Sequence, residues 1–297
     1  MMTETALAPP PWVRAIVGES HEDRRLKLKR SSQMCQIELA LAEGANLVSG
    51  QLPNASRLAP DLFQLAVTDM FLVILDALRK SQTPFPVRMW VVVPGIHVSM
   101  TDSMDRYQVF NAGRYDAFCE WFGGPEMFAK ALPAASAVGH RGDHFQVHAL
   151  GSVAPGIPVE NPRQIPAFGY SRKFGPRPPC FARATVAQLP FGTRLLVAGT
   201  ASILGENTAH QGSLARQFEE TMENLAGLAE SVPGTDRYHF DNVETARVFS
   251  PVASELNWLG EKTQRRFPNA SVECVCAELC RSDLMVEIEA TIAPSPE

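Results

Sequence analysis

The sequence predicts an α+β protein built from two tandem copies of one unit, each a mixed β-sheet backed by two helices. Three observations predict it. First, a β-rich run from Arg194 to Val197 breaks at Gly199 and is followed by a helix in which Leu214, Phe218, Met222, Leu225 and Leu228 recur every three or four residues, one apolar stripe facing a sheet. Second, the same order of elements occurs once before in the chain. Third, 297 residues of which 45% are apolar can bury two ordinary cores.

Taken in order, residues 1–30 are Pro-rich and then charge-rich, from His21 through Arg30, and read as an N-terminal arm with room for one strand at its end. The first unit, 31–152, opens with strands at 35–41 and 46–50. A helix over 61–80 follows, and its apolar core Phe71 to Leu75, flanked by Asp69 and Asp76, is too short to span a bilayer. Then come a strand over 87–93 closed by Pro94-Gly95, a second helix over 106–122 and a strand at 145–150. The second unit, 181–297, repeats this: 196–199 answers 47–50, helix 213–231 answers 61–80, and strand 243–249 answers 87–93. Helix 255–267 answers 106–122, and strand 284–292 answers 145–150. Pro133-Ala134-Ala135-Ser136 and Pro268-Asn269-Ala270-Ser271 fall at matching places after each second helix. The connection at 153–180 holds seven prolines, and a long connection in a compact protein is usually functional.

A formal charge of −5 offers no basic field for nucleic acid, so an anionic ligand needs local arginines. The first twenty residues lack a basic stretch leading into an apolar run, which predicts a cytoplasmic protein whose six cysteines are reduced thiols. Cys274, Cys276 and Cys280 lack the second Cys or His pair of a zinc site, so no metal is expected. Signatures of acyl hydrolases, P-loops and dinucleotide folds are missing as well.

Val197-Ala198-Gly199-Thr200, the helix end Glu219 to Leu225 and the closing run Leu284 to Ala290 resemble the reactive-intermediate deaminase (Rid, YjgF-like) superfamily, whose small sheet backed by two helices usually assembles as a trimer. Asp105 to Arg114, Tyr170 to Ala184 and Gly199 to Ile203 narrow the resemblance to the chorismatases. The likeness runs from about Val87 to the C-terminus. It implies an enzyme that cleaves chorismate, releases pyruvate and gives either a hydroxybenzoate, 3-hydroxybenzoate first, or a dihydroxycyclohexadiene acid. A plain imine deaminase is disfavoured because Asn269 stands where those proteins carry a carboxylate-binding arginine. A non-catalytic ligand-binding module stays open. A monomer is favoured, since one chain already supplies two units, and an oligomer is not excluded.

Chorismate is a dianion with a vinyl ether. Cleaving it takes arginines for the carboxylates, an acid for the enolpyruvyl methylene and a dry site, with no cofactor. In the closing run Glu287 and Glu289 alternate with Leu284, Val286 and Ile288 and share the opposite face, where carboxylates ordinarily line a solvated sheet. The resemblance selects Glu287 as the acid. It also implies Arg183 as the leading carboxylate holder, with Tyr170, Arg172 and Arg177 from the connection and Arg106 or Arg114 from the first unit closing the pocket. Gly199 and Ala201 would floor it, and Cys280 would select the product. The matching strand of the first unit carries Val147 and Ala149, so one active site is expected, in or beside the second unit.

Overall fold

Along the strand Phe85–Pro94, Met89, Val91 and Val93 enter one apolar core while Trp90 and Val92 enter two others. That two-sided burial follows from the period of two of an extended chain, and it organises the molecule. The computed structural model describes residues 8–17, 24–30, 33–42, 44–234 and 237–295. Residues 1–7 and 18–23 of the expected arm lie outside them.

A short helix α1 (Pro11–Val17) precedes β1 (Arg24–Arg30), β2 (Gln33–Ala42) and β3 (Ala45–Leu52). Then follow α2 (Pro60–Arg79), β4 (Phe85–Pro94), α3 (Arg106–Phe122), a single turn α4 (Phe128–Ala131), β5 (Ala134–His140) and β6 (Phe145–Ser152). These strands form a six-stranded sheet in the order β1-β2-β3-β6-β4-β5, antiparallel except for the parallel pair β4–β5.

The second half contributes β7 (Ile157–Val159), β8 (Ala184–Leu189), β9 (Gly192–Ala201) and a small hairpin of β10 (Ile203–Leu204) and β11 (Asn207–Thr208). After these come α5 (Leu214–Glu230), β12 (Val243–Ser250), α6 (Leu256–Arg266), β13 (Ser271–Cys276) and β14 (Glu287–Ile292). The second sheet runs β7-β8-β9-β14-β12-β13, again with one parallel pair, β12–β13. Position for position this is the order of the first sheet, so the expected repeat extends to topology.

Each sheet packs one face on its own two long helices. Phe63, Met70 and Ile74 of α2 and Phe110 and Phe118 of α3 meet Val91 and Val147 in the first half. Phe218, Met222, Leu225 and Leu228 of α5 and Leu259 of α6 meet Val197 and Ile288 in the second. The free faces meet each other: Leu47, Trp90 and Leu150 pack on Ala187, Leu189 and Leu196, and Val92 and Val138 pack on Ala201, Ile203 and Phe249. Among the described residues no helix is long and apolar enough to cross a membrane.

Four details differ from expectation. The strand read as breaking at Gly199 runs on to Ala201, with an irregularity near Ala198–Gly199, and pairs Thr200 and Ala201 with Ile288 and Glu287. The parallel edge strands β5 and β13 complete each unit; Ala134-Ala135-Ser136-Ala137 carries little of the β-branched signal that marks a strand. Three residues of the Pro-rich connection pair with β8 as β7. The closing strand begins at Glu287, three residues later than read, because the Met285 N–H is taken by Gln217 Oε1 (2.8 Å) on α5 instead of by a neighbouring strand.

Candidate active site

At one end of the junction between the sheets lies a cavity of about 290 Å³, lined from β9 (Gly199, Ala201), β14 (Glu287), the approach to β8 (Phe181, Arg183), α3 (Tyr107, Arg114), β5 (Ser136) and the segment 280–283. Tyr170, Lys173 and Phe174 of the connection cover it. Both halves of the chain therefore build it, and Glu287 comes from the second.

Glu287 is 4% exposed, its carboxyl accepts no hydrogen bond among the described residues, and it rests against the backbone of Gly199. Burial, reinforced by the neighbouring Glu289, raises its pKa to about 8, against the opposing pull of Arg88 and Arg183. At neutral pH it holds its proton. Glu289, two residues on and on the same face, is instead paired with Arg88 of β4 (2.6 Å), and it also receives Ser136 Oγ (2.6 Å) and Trp90 Nε1 (3.1 Å). Neither glutamate lines a solvated face, because that face of β14 is covered by the first sheet.

The cations are set up differently. Arg114 is 1% exposed; its Nη2 donates to Asn111 Oδ1 (2.7 Å), its guanidinium lies over the Phe110 ring, and burial lowers its pKa. Arg183 donates to Tyr170 Oη (2.6 Å) and to the Ile165 carbonyl (3.2 Å). Neither arginine has a carboxylate partner among the described residues, and the Nε atoms of both are buried without an acceptor. Buried charge without a counter-charge is costly, and an anion entering the cavity relieves that cost. Arg281, fixed by the Glu206 carbonyl (2.8 Å) and stacked 4.0 Å from the Phe174 ring centroid, adds a third cation.

Cys280 lies half-buried in the wall beside Glu287, its thiol pushed up to about 12 by burial first and by the Glu287 carboxyl second. It stays a neutral thiol and is no nucleophile at physiological pH.

Of the residues singled out from sequence, Glu287, Cys280, Arg183, Tyr170, Gly199, Ala201 and Arg114 come together in this cavity. Arg172 and Arg177 do not. Both are exposed, and Arg177 stacks on the Tyr115 ring (4.7 Å) on the far side of the connection. Arg106 turns away as well, bonding the Pro94 and Ser56 carbonyls. Asn269 is exposed and donates to the Asp241 carbonyl, remote from the cavity lining. Tyr107, Ser136 and Arg281 escaped the sequence reading. Tyr107 had a signal: with Asn111 and Arg114 it lies at i, i+4 and i+7 on one face of α3.

Polar side chains on the buried face of α5 shape the floor. Asn224 Nδ2 donates to the carbonyls of Ala201 and Ile203 (3.0 Å each), and Gln217 bridges Asp283 O and Met285 N. The chain on either side of Glu287's pocket is thus held from below by one helix.

A buried carboxyl whose pKa is raised stands beside arginines that have no carboxylate partner among the described residues, an arrangement suited to binding a small anion and protonating it. Comparison with known proteins gives that arrangement a family. A family model described as chorismatase FkbO/Hyg5-like, N-terminal, matches residues 22–151. A 3-hydroxybenzoate synthase of Streptomyces hygroscopicus is 30% identical over 82% of this chain and 72% of its own length. A chorismatase of Streptomyces rapamycinicus is 31% identical over 74% of this chain and 67% of its own. A chorismatase crystal structure at 1.08 Å overlays with a TM-score of 0.76 at 27% identity, covering 91% of this chain and 80% of that one. The chain belongs to the FkbO/Hyg5-like chorismatase family.

Proposed function

We propose that this protein cleaves chorismate to pyruvate and a hydroxybenzoate, 3-hydroxybenzoate in preference to 4-hydroxybenzoate. The observation that carries the reading is the Glu287 carboxyl, protonated at neutral pH and, among the described residues, unpartnered in a cavity whose buried arginines have no carboxylate partner. Arg114 and Arg183, with Tyr170 orienting the latter, hold the two carboxylates of the substrate, and Phe181 and Phe174 exclude water from the ring.

Glu287 gives its proton to the enolpyruvyl methylene carbon. The ether bond to the ring then breaks, its electron pair staying on the departing oxygen as the carbonyl of pyruvate. The electron-poor ring carbon is captured by the oxygen of the neighbouring ring hydroxyl, whose bond to its original carbon then breaks, its electron pair going to the oxygen, so that the hydroxyl ends on the carbon pyruvate left. Loss of the ring proton on that carbon restores aromaticity, and the proton released returns to the Glu287 carboxylate, so no water is consumed. Capture by water instead yields the dihydroxycyclohexadiene acid. The neutral Cys280 thiol beside Glu287, and the activity named for the Streptomyces hygroscopicus relative, favour internal capture.

The test is incubation of the purified protein with chorismate, with chromatography of the ring product and enzymatic assay of pyruvate. Equal amounts of pyruvate and hydroxybenzoate are expected. Appearance of neither overturns the reading.

A further inference from the structure

We propose that Arg88 and Ser136 of the first unit act, through Glu289, as positioning residues for Glu287. The proposal rests on the reading of Glu287 as the acid and explains why a unit without an acid of its own is part of the site.

Strand β14 carries two glutamates two residues apart on one buried face. Alike by type and burial, they are treated unequally by the first unit. Among the described residues, Glu289 takes three donors, all from β4 and β5: Arg88 Nη2 and Ser136 Oγ at 2.6 Å on Oε2, and Trp90 Nε1 at 3.1 Å on Oε1. Glu287 takes none among the described residues. Arg88 is fixed in turn, its Nη1 on the Met89 carbonyl (2.6 Å) and its guanidinium over the Trp90 ring. A buried ion pair with this many donors is a rigid one. Glu287 therefore faces a pinned negative neighbour, the arrangement that makes one of two adjacent carboxyls keep its proton.

Ser136 has a second task. Its Oγ donates to Glu289 and accepts the Gly199 N–H (2.9 Å), and Gly199 is the backbone on which the Glu287 carboxyl lies. Arg88 Nη2 is also 2.6 Å from the same oxygen. Although Ser136 lines the cavity, its only hydrogen is committed to Glu289, so it has none to give a ligand. One hydroxyl thus sets both the seat of the acid and its charged neighbour.

The charged and titratable groups facing Glu287 are Glu289 on its own strand, Arg88 on β4, Arg183 before β8 and Cys280 before β14. Of these, Glu289 is the one whose replacement by an uncharged isostere pushes the Glu287 pKa down. Glu289→Gln should move the alkaline limb of the kcat profile to lower pH by roughly one unit. Ser136→Ala should lower kcat about tenfold or more and leave KM within about twofold, because it loosens the acid without removing a ligand contact.

The limb is read by turnover and independently from the carbon-13 carboxyl resonance of Glu287 in labelled protein, assigned by its loss in Glu287→Gln. A wild-type protein inert towards chorismate defeats the proposed function, while the resonance still reports the coupling. The positioning role is overturned if folded Glu289→Gln titrates at the wild-type pH, or if Ser136→Ala raises KM and spares kcat. Should Glu289→Gln fail to fold, the kcat and KM of Ser136→Ala decide alone.

Discussion

A β-carbon added to Gly199 would stand 2.0 Å from Oε1 of Glu287 and 2.6 Å from its Cδ. The Glu287 carboxyl occupies the volume that any side chain at 199 would claim. Gly199→Ala must push the carboxyl off its seat, so it should cut turnover of chorismate by at least about a hundredfold while the protein stays folded. Circular dichroism with single-turnover kinetics checks this, and near-normal turnover would show that the carboxyl has room to move.

The raised pKa of Glu287 is also a statement about stability. Its folded value of about 8 lies above the ordinary 4.5, so the folded state holds a proton that the unfolded state gives up. The stability that proton contributes is present in full below pH 4.5 and lost as pH rises to 8. Glu287→Gln removes this dependence at one site. It should melt several degrees above wild type at pH 8, at about 2–4 °C per kcal/mol, with the gap closing towards pH 4.5. Glu160, raised to about 7 chiefly by burial, titrates in both proteins and cancels from the difference. The same variant should lose turnover by orders of magnitude and keep its ligand affinity, since it keeps the shape and deletes the proton. Scanning calorimetry across pH reads the first effect and steady-state kinetics the second.

Much of this was legible in the chain because the signals are local. The stripe on α5 and the two-sided apolar run of β4 are periodic, and their recurrence at matching spacing gave the two units. Gly199, Ala201 and Arg183 lie on or beside one strand, and they arrived together. What stayed hidden depends on contacts between the units. Nothing in the sequence places Arg88 beside Glu289, which is 201 positions away, and the alternation of 284–292 cannot tell a sheet face covered by a second sheet from one open to water. Arg172 and Arg177 were drawn in by their neighbours in sequence. A turn at Gly175, with φ near 122°, and the packing of Arg177 on Tyr115 direct them elsewhere.

That separation among the arginines is measurable. Arg114→Met or Arg183→Met removes a buried charge-assisted partner for a carboxylate and should weaken 3-hydroxybenzoate binding by about 10- to 100-fold. Arg172→Met and Arg177→Met should stay within about twofold of wild type, because both side chains stand in water outside the cavity lining. Isothermal titration of the four variants checks the contrast. Equal losses at 172 and 183 would mean that the connection turns inward over a bound ligand.

Cys280 offers the test of product choice. Its thiol is neutral and sits in the wall beside Glu287, where it fills volume and donates weakly at most. If the proposed reaction holds, such a group would act by excluding water from the ring carbon left when pyruvate departs. Cys280→Ala opens that volume to water and leaves the proton donor in place. Pyruvate release should therefore fall less than about tenfold, whereas the ring product should shift from hydroxybenzoate towards the dihydroxycyclohexadiene acid. Cys280→Val, which restores bulk without a thiol, separates the two properties: recovery of the aromatic product would assign the effect to volume, and persistence of the diene diol would assign it to the S–H group. Chromatography of the ring products at matched pyruvate release makes the comparison, and an unchanged product ratio in both variants would remove Cys280 from the account of product choice.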